Sequence, residues 1–193
     1  MYRLFLGDAI TFNQHLTIGI EHGQINDVSA QVWALAYYYH QRSPRAVLTD
    51  TLNVGNATSE QRHAYAINNA TWSGTQTYAY EGVHTEAISD TGRAHKGASE
   101  FVMTLNPANE GVILRRRFDY SVGNQNADVY VDGARVGAWH CAGRNSARWR
   151  DDDFMIPSAL TKGKNQITLR VVFVSSDRDW NEFTYTAYCL LNP

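Results

Sequence analysis

The segment from Val129 to His140, VYVDGARVGAWH, constrains the fold more than any other stretch of the chain. Apolar Val129, Val131, Val136 and Ala138 flank Asp132-Gly133 in an alternating pattern. Alternation places successive side chains on opposite faces of a strand, and Asp-Gly suits a two-residue turn because both central positions need positive φ. The pair predicts a tight β-hairpin turning at Asp132-Gly133, whose alternation builds one face of a packed sheet.

Other segments have the same character. LTIGIEHG (16–23), VWALAYYYHQ (32–41), GVILRRRFDYSV (111–122), ADVYVDG (127–133) and NQITLRVVFV (165–174) are short and rich in β-branched and aromatic residues. Gly, Asn, Asp or Pro bound them, so they read as strands. Helical signals are weak. SALTKGK (158–164) predicts a single turn capped by Ser158, and TSEQRHAYAINNA (58–70) a short helix opened by Ser59. The stretch from Asn53 to Lys96, rich in Asn, Thr, Ser and Gly, reads as long inter-strand loops. Many short strands without a helical period predict an all-β chain, a single jelly-roll β-sandwich. At 193 residues, with no repeat or linker-like composition break, residues 1–193 are read as one domain.

The net charge of -2 argues against nucleic acid as a partner. No apolar run approaches the roughly 20 residues of a membrane span, and MYRLFLGDAITF lacks the pattern of a signal peptide. A cytoplasmic location is expected for the chain as written, with secretion the alternative if it is a fragment; only then would the sequons at Asn56 and Asn69 matter. Two cysteines, Cys141 and Cys189, are too few for a disulfide framework. They read as two thiols at strand positions or as one bridge.

Candidate chemistry is limited. The seven histidines form no HxH or HxxxH pair, so no metal and no cofactor is expected. Asp151, Asp152 and Asp153 suit a hard cation by residue type, but strand alternation would point them to opposite sides, and they read as a solvated turn partnered by Arg148 and Arg150. Glycoside hydrolysis needs two carboxylates, and Glu21, Glu81, Glu86, Glu100, Glu110 and Glu182 offer no preferred pair. GxSxG, P-loop and GxGxxG patterns are absent.

What remains is aromatic density. Sugars stack their C–H faces on indole and phenol rings while hydroxyls bond to Asp, Asn, Arg and Glu. Trp33 and Trp139, inside apolar strands, read as core. Trp72, Trp149 and Trp180, in polar surroundings, are the expected stacking rings, with Arg150, Asp151, Asp152, Asn181 and Glu182 supplying hydrogen bonds.

The segments YRLFLGDAITFNQHLTIGIEHGQINDVSAQVWALAYYYHQ and GVILRRRFDYSVGNQNADVYVDGARVGAWH, then RWRDDDFMIP, LTKGKNQITLRVV and DWNEFTYTAYCL, resemble the C-terminal part of the proteins called domain of unknown function 2961. That family includes glycoside hydrolase family 172, acting on fructofuranosides and arabinofuranosides. The resemblance implies a jelly roll of capsid-like kind that assembles as a homo-oligomer, a trimer or a hexamer. The family's catalytic glutamates belong to segments of GEGE and GTGTEDYF type, which this sequence lacks. No catalytic residue carries over. The expectation is therefore a lectin-like, carbohydrate-binding domain that self-assembles. The alternatives are a furanosidase whose site is completed between subunits, using Glu21 or Glu182, and a capsid-like structural protein.

Overall fold

The computed structural model describes residues 44–81 and 86–192, together with Thr17, Ser29 and Gln31. The chain divides into two units, Met1–His40 and Gln41–Pro193, and every described strand belongs to the second. In chain order the elements are β1 (Arg45–Asn53), α1 (Ala57–Arg62), β2 (Ala66–Ile67), β3 (Ala70–Tyr80), β4 (Ile88–His95), β5 (Ala98–Thr104) and β6 (Gly111–Asp119). There follow β7 (Gln125–Val131), β8 (Ala134–Cys141), β9 (Arg148–Pro157), α2 (Ser158–Thr161), β10 (Gln166–Ser175), β11 (Trp180–Glu182) and β12 (Thr184–Leu191).

These strands form a jelly-roll β-sandwich. One sheet runs β1-β12-β6-β9-β3-β4-β11 and the other β2-β5-β10-β7-β8. Pairing is antiparallel except where β3 meets β9, in parallel, over Ala79–Arg148 and Tyr80–Trp149. The core follows from period-2 alternation: Val112 and Leu114 of β6 and Tyr185, Ala187 and Cys189 of β12 meet Phe101 and Met103 of β5, Ile167, Leu169 and Val171 of β10, and Val129 and Val131 of β7. Each large apolar side chain so buried contributes about 1.5–3 kcal/mol.

The strands expected within 111–122, 127–133 and 165–174 are β6, β7 and β10, whereas those at 16–23 and 32–41 lie outside the described residues. β7 and β8 turn at Asp132 and Gly133 with φ of 49° and 85°, as the sequence predicts. Trp139 is core, as expected, and Trp33 lies outside the described residues. Cys141 and Cys189 are free and buried; burial pushes the Cys141 thiol up to about 11.

The stretch from Asn53 to Lys96 is not loop. It holds α1, β2 and the antiparallel β3–β4 hairpin. Its polar composition conceals strand alternation, because the outward residues are hydroxyls that pair across the ladder: Thr75 with Thr91 at 2.9 Å and Thr77 with Ser89 at 2.8 Å. The helix opens earlier than expected. Asn56, not Ser59, is its N-cap, and its side chain accepts from the Ser59 amide at 3.0 Å. The turn at α2 exists, but Ser158 is its first residue rather than its cap, and Pro157 precedes it.

Candidate functional site

Trp72 lies on the β3–β4 hairpin opposite Ala94, and Gly74 lies opposite Gly92. Both glycines make room for rings. A Cβ at Gly74 would come within 2.9 Å of Trp72 Cζ2, so the indole lies along its own strand over the glycine. A Cβ at Gly92 would come within 2.5 Å of Phe183 Cδ1. The rings of Trp72 and Phe183 stand 5.8 Å apart; Phe183 meets Trp149 edge-on at 4.6 Å, and Trp149 meets Tyr78 at 5.2 Å. This aromatic series is the floor that holds Trp72 at the surface, where it is half-buried.

Beside Trp72 opens a small cleft of about 60 Å³, lined also by Gln76, Ala94, Asp119, Arg178, Asn181 and Phe183. Its polar groups are held from behind. The buried Asn181 accepts from the Asp119 amide at 2.8 Å and donates to the Asp119 carbonyl at 3.2 Å. Asp119 Oδ1 accepts from the Ser121 amide at 2.9 Å, and its Oδ2 has no partner among the described residues. The Tyr78 hydroxyl donates to Gln76 Oε1 at 3.1 Å, which leaves the Gln76 amide nitrogen open. Burial, then the nearby Asp119 carboxylate, raises the Tyr78 phenol, against the opposing charge of Arg178. Among the described residues Arg178 is anchored through Nε alone, 3.7 Å from Asp179 Oδ1, and its terminal nitrogens have no partner there. Asp179 in turn accepts from the Thr71 hydroxyl at 2.8 Å.

The cleft thus offers an indole face, a carboxylate acceptor, an amide donor and a guanidinium donor. The cleft is too small to enclose a sugar, but that set can bond the hydroxyls of a polyhydroxylated ring lying across its mouth against the indole. Asp119 is the only carboxylate among its lining residues, whereas glycoside hydrolysis ordinarily takes two. Among the described residues no three of His, Cys, Asp or Glu come together in a way that could hold a metal ion.

Of the residues expected to bind, Trp72 and Asn181 meet here, Asn181 as a buried prop. The others do not join them. Trp149 and Trp180, expected at the surface, are 1% and 0% exposed. The Trp149 indole nitrogen donates to the Ile88 carbonyl at 2.9 Å, and Trp180 stacks 3.4 Å from the buried Arg116 guanidinium. Asp151, Asp152 and Asp153 belong to strand β9 rather than to a turn. The β6–β9 register sets Arg115 opposite Asp153 and Arg117 opposite Asp151, so β6 supplies the arginines that face these two aspartates, while Arg150 feels the Asp152 charge. Arg115 grips Asp153 bidentately at 2.7 and 2.8 Å; Asp151 accepts from the Tyr80 hydroxyl at 2.7 Å and lies 3.7 Å from Arg117. Asp152, on the opposite face, accepts from the Trp139 indole at 2.9 Å, and Arg150 covers the Tyr120 ring at 4.7 Å.

Glu182 cannot act on a substrate from its position. It is fully buried and accepts from the hydroxyls of Tyr65 at 2.5 Å, Tyr185 at 2.6 Å and Ser99 at 3.0 Å. Glu21 lies outside the described residues. Gln76, Asp119, Arg178 and Phe183 escaped the sequence reading. The available signal was the alternation TWSGTQTY, in which Trp72, Gly74 and Gln76 share a face.

No family model matches the chain, and no curated protein does. Similar solved structures include a family 35 carbohydrate binding module from Clostridium thermocellum, 15% identical over 76% of this chain and 97% of that one, with a TM-score of 0.46. A carbohydrate binding module of lichenase 5A from Cellvibrio mixtus, solved with cellotriose, is 11% identical over 73% and 97% of the two chains, at 0.43. The ANX1 ectodomain from Arabidopsis thaliana is 14% identical over 76% of this chain and 51% of that one, at 0.48. At these scores the likeness carries nothing about a ligand. Among the described residues no helix is long and apolar enough to cross a membrane.

Proposed function

We propose that this chain is a carbohydrate-binding jelly-roll domain that holds a sugar ring against Trp72 without cleaving it. The observation that carries this is the half-buried Trp72 indole laid over Gly74 at the mouth of a cleft whose Asp119 and Arg178 keep open hydrogen-bonding valences. Concave sites with an apolar floor and a few convergent polar groups are the general form of small-molecule sites. Here the apolar element is an aromatic plane, which suits the C–H face of a sugar, while the acceptor and donors suit its hydroxyls.

We also propose that the domain self-associates through the outer face of the seven-stranded sheet, where Leu48 and Met155 are each 56% exposed.

The test of binding is a broad glycan array that includes fructans and arabinans, the substrates implied by the resemblance to glycoside hydrolase family 172. Selective binding by the wild-type chain and its loss in Trp72→Ala is the expected result. A blank array, or binding that Trp72→Ala leaves intact, overturns the assignment of the cleft.

A further inference from the structure

A second concavity lies on the other sheet, where the short strand β2 flanks β5. It is a groove of about 300 Å³ lined by Ala66, Ile67, Asn68, Ala98, Ser99, Glu100 and Arg170. Glu100 and Arg170 face each other directly across the β5–β10 ladder, both exposed. Opposite charges so placed commonly pair, yet among the described residues neither has an ion-pair or hydrogen-bond partner.

The third polar group of the groove is held in place. Asn68 Oδ1 accepts from the Ala98 main-chain N–H at 2.9 Å, and the Asn68 main-chain N–H donates to the Ala98 carbonyl at 2.9 Å. This closure depends on Gly97, where a Cβ would fall 2.0 Å from Asn68 Oδ1. With its oxygen committed, Asn68 keeps its amide nitrogen open. The Ser99 hydroxyl is taken from beneath by Glu182, so it does not serve the groove.

A carboxylate that only accepts, a guanidinium that only donates and one amide donor therefore border an apolar strip of Ala66, Ile67 and Ala98. A vicinal diol satisfies that set: its hydroxyls donate to the carboxylate and accept from the guanidinium and amide, while the ring's C–H edge covers the apolar strip. We infer that this groove is a second carbohydrate subsite, with Glu100, Arg170 and Asn68 as its diol-binding groups. The inference rests on the reading of the chain as a sugar binder, but on different residues from the Trp72 cleft. It makes each chain bivalent, and bivalency raises retention on a polymer far above the affinity of either site.

The experiment is an amide shift titration of the ¹⁵N-labelled full chain with methyl glycosides of glucose, galactose, xylose, arabinose and fructose. Two groups of amides are expected to move: Ile67, Asn68, Ala98 and Glu100 at the groove, and Ser73, Gly74 and Gln76 at the cleft. Arg170→Ala and Glu100→Gln, both at exposed positions, should abolish the first group of shifts and keep the second; Trp72→Ala should do the reverse. Movement of the cleft amides alone overturns the groove and leaves the proposed function standing. Shifts confined to the groove support the second subsite and overturn the role of Trp72, and a chain that moves in neither place overturns both.

Discussion

Glu182 shows how far a residue's sequence surroundings can mislead. Within DWNEF it sits beside Trp180 and Asn181, a grouping that reads as a ligand site, yet all three positions of β11 are buried. A three-residue strand between packed elements has no solvent face, and no alternation in so short a segment could reveal that. Its chemistry is internal. Burial pushes the Glu182 carboxyl up, but His95, 3.8 Å away and so within ion-pair rather than hydrogen-bond reach, acts with the Tyr185 and Tyr65 hydroxyls to hold it below its ordinary 4.5. The unfolded chain therefore takes up this proton at higher pH than the folded one. The stabilisation is fully present above the ordinary 4.5 and is lost as pH falls through the lower folded value. Thermal melts followed from neutral pH down to about pH 3 should show stability falling at the acid end. Glu182→Gln should cost about 3 kcal/mol at neutral pH, as loss of a buried charge partner does, and flatten the acid slope. Parallel pH curves for the two proteins would show that Glu182 is not the group responsible.

Among the elements, legibility followed the chemistry of the outward face. β6, β7 and β10 could be read because their buried and exposed positions differ in polarity. β3 and β4 could not, because threonine, serine and glycine occupy so many of their positions and imitate loop composition. The missed hairpin is the one that carries Trp72, so the cleft was lost with it, and of the binding residues named from sequence only Trp72 and Asn181 reached it. The β7–β8 turn was legible for the opposite reason: positive φ at two successive positions leaves few residue choices. That demand gives a clean test. A Cβ at Gly133 would meet nothing within 4 Å, so Gly133→Ala carries no clash and only the cost of its φ of 85°. Loss of about 1 kcal/mol in urea unfolding is expected, with an unchanged m-value. A variant as stable as the wild type would mean that the turn relaxes out of the left-handed region.

For the whole molecule, the proposed self-association would use the outer face of the seven-stranded sheet. The register aligns Leu48 with Tyr188, Tyr188 with Ile113 and Ile113 with Met155, an apolar row across β1, β12, β6 and β9. The next row carries Arg115 and Asp153, and Arg115 also lies over the Tyr188 ring at 5.4 Å. Arg115 and Asp153 already satisfy each other within the chain, so the apolar row is the part of this face that a second copy would cover. Leaving the face uncovered keeps Leu48 and Met155 against water, which is the ground for proposing association there. Homo-oligomers close by symmetry, and in a ring of identical domains the proposed sugar sites would repeat about one axis. Sedimentation velocity should therefore find the wild-type chain as a closed oligomer, the trimer or hexamer implied by the family resemblance. The double variant Leu48→Asp, Met155→Asp should sediment as a monomer. Both substitutions are at exposed positions outside the Trp72 cleft, so its circular dichroism and its affinity for a single sugar should stay unchanged while its retention on polysaccharide falls. A monomeric wild-type chain would remove the assembly proposal and leave the cleft and the groove to stand on their own binding data.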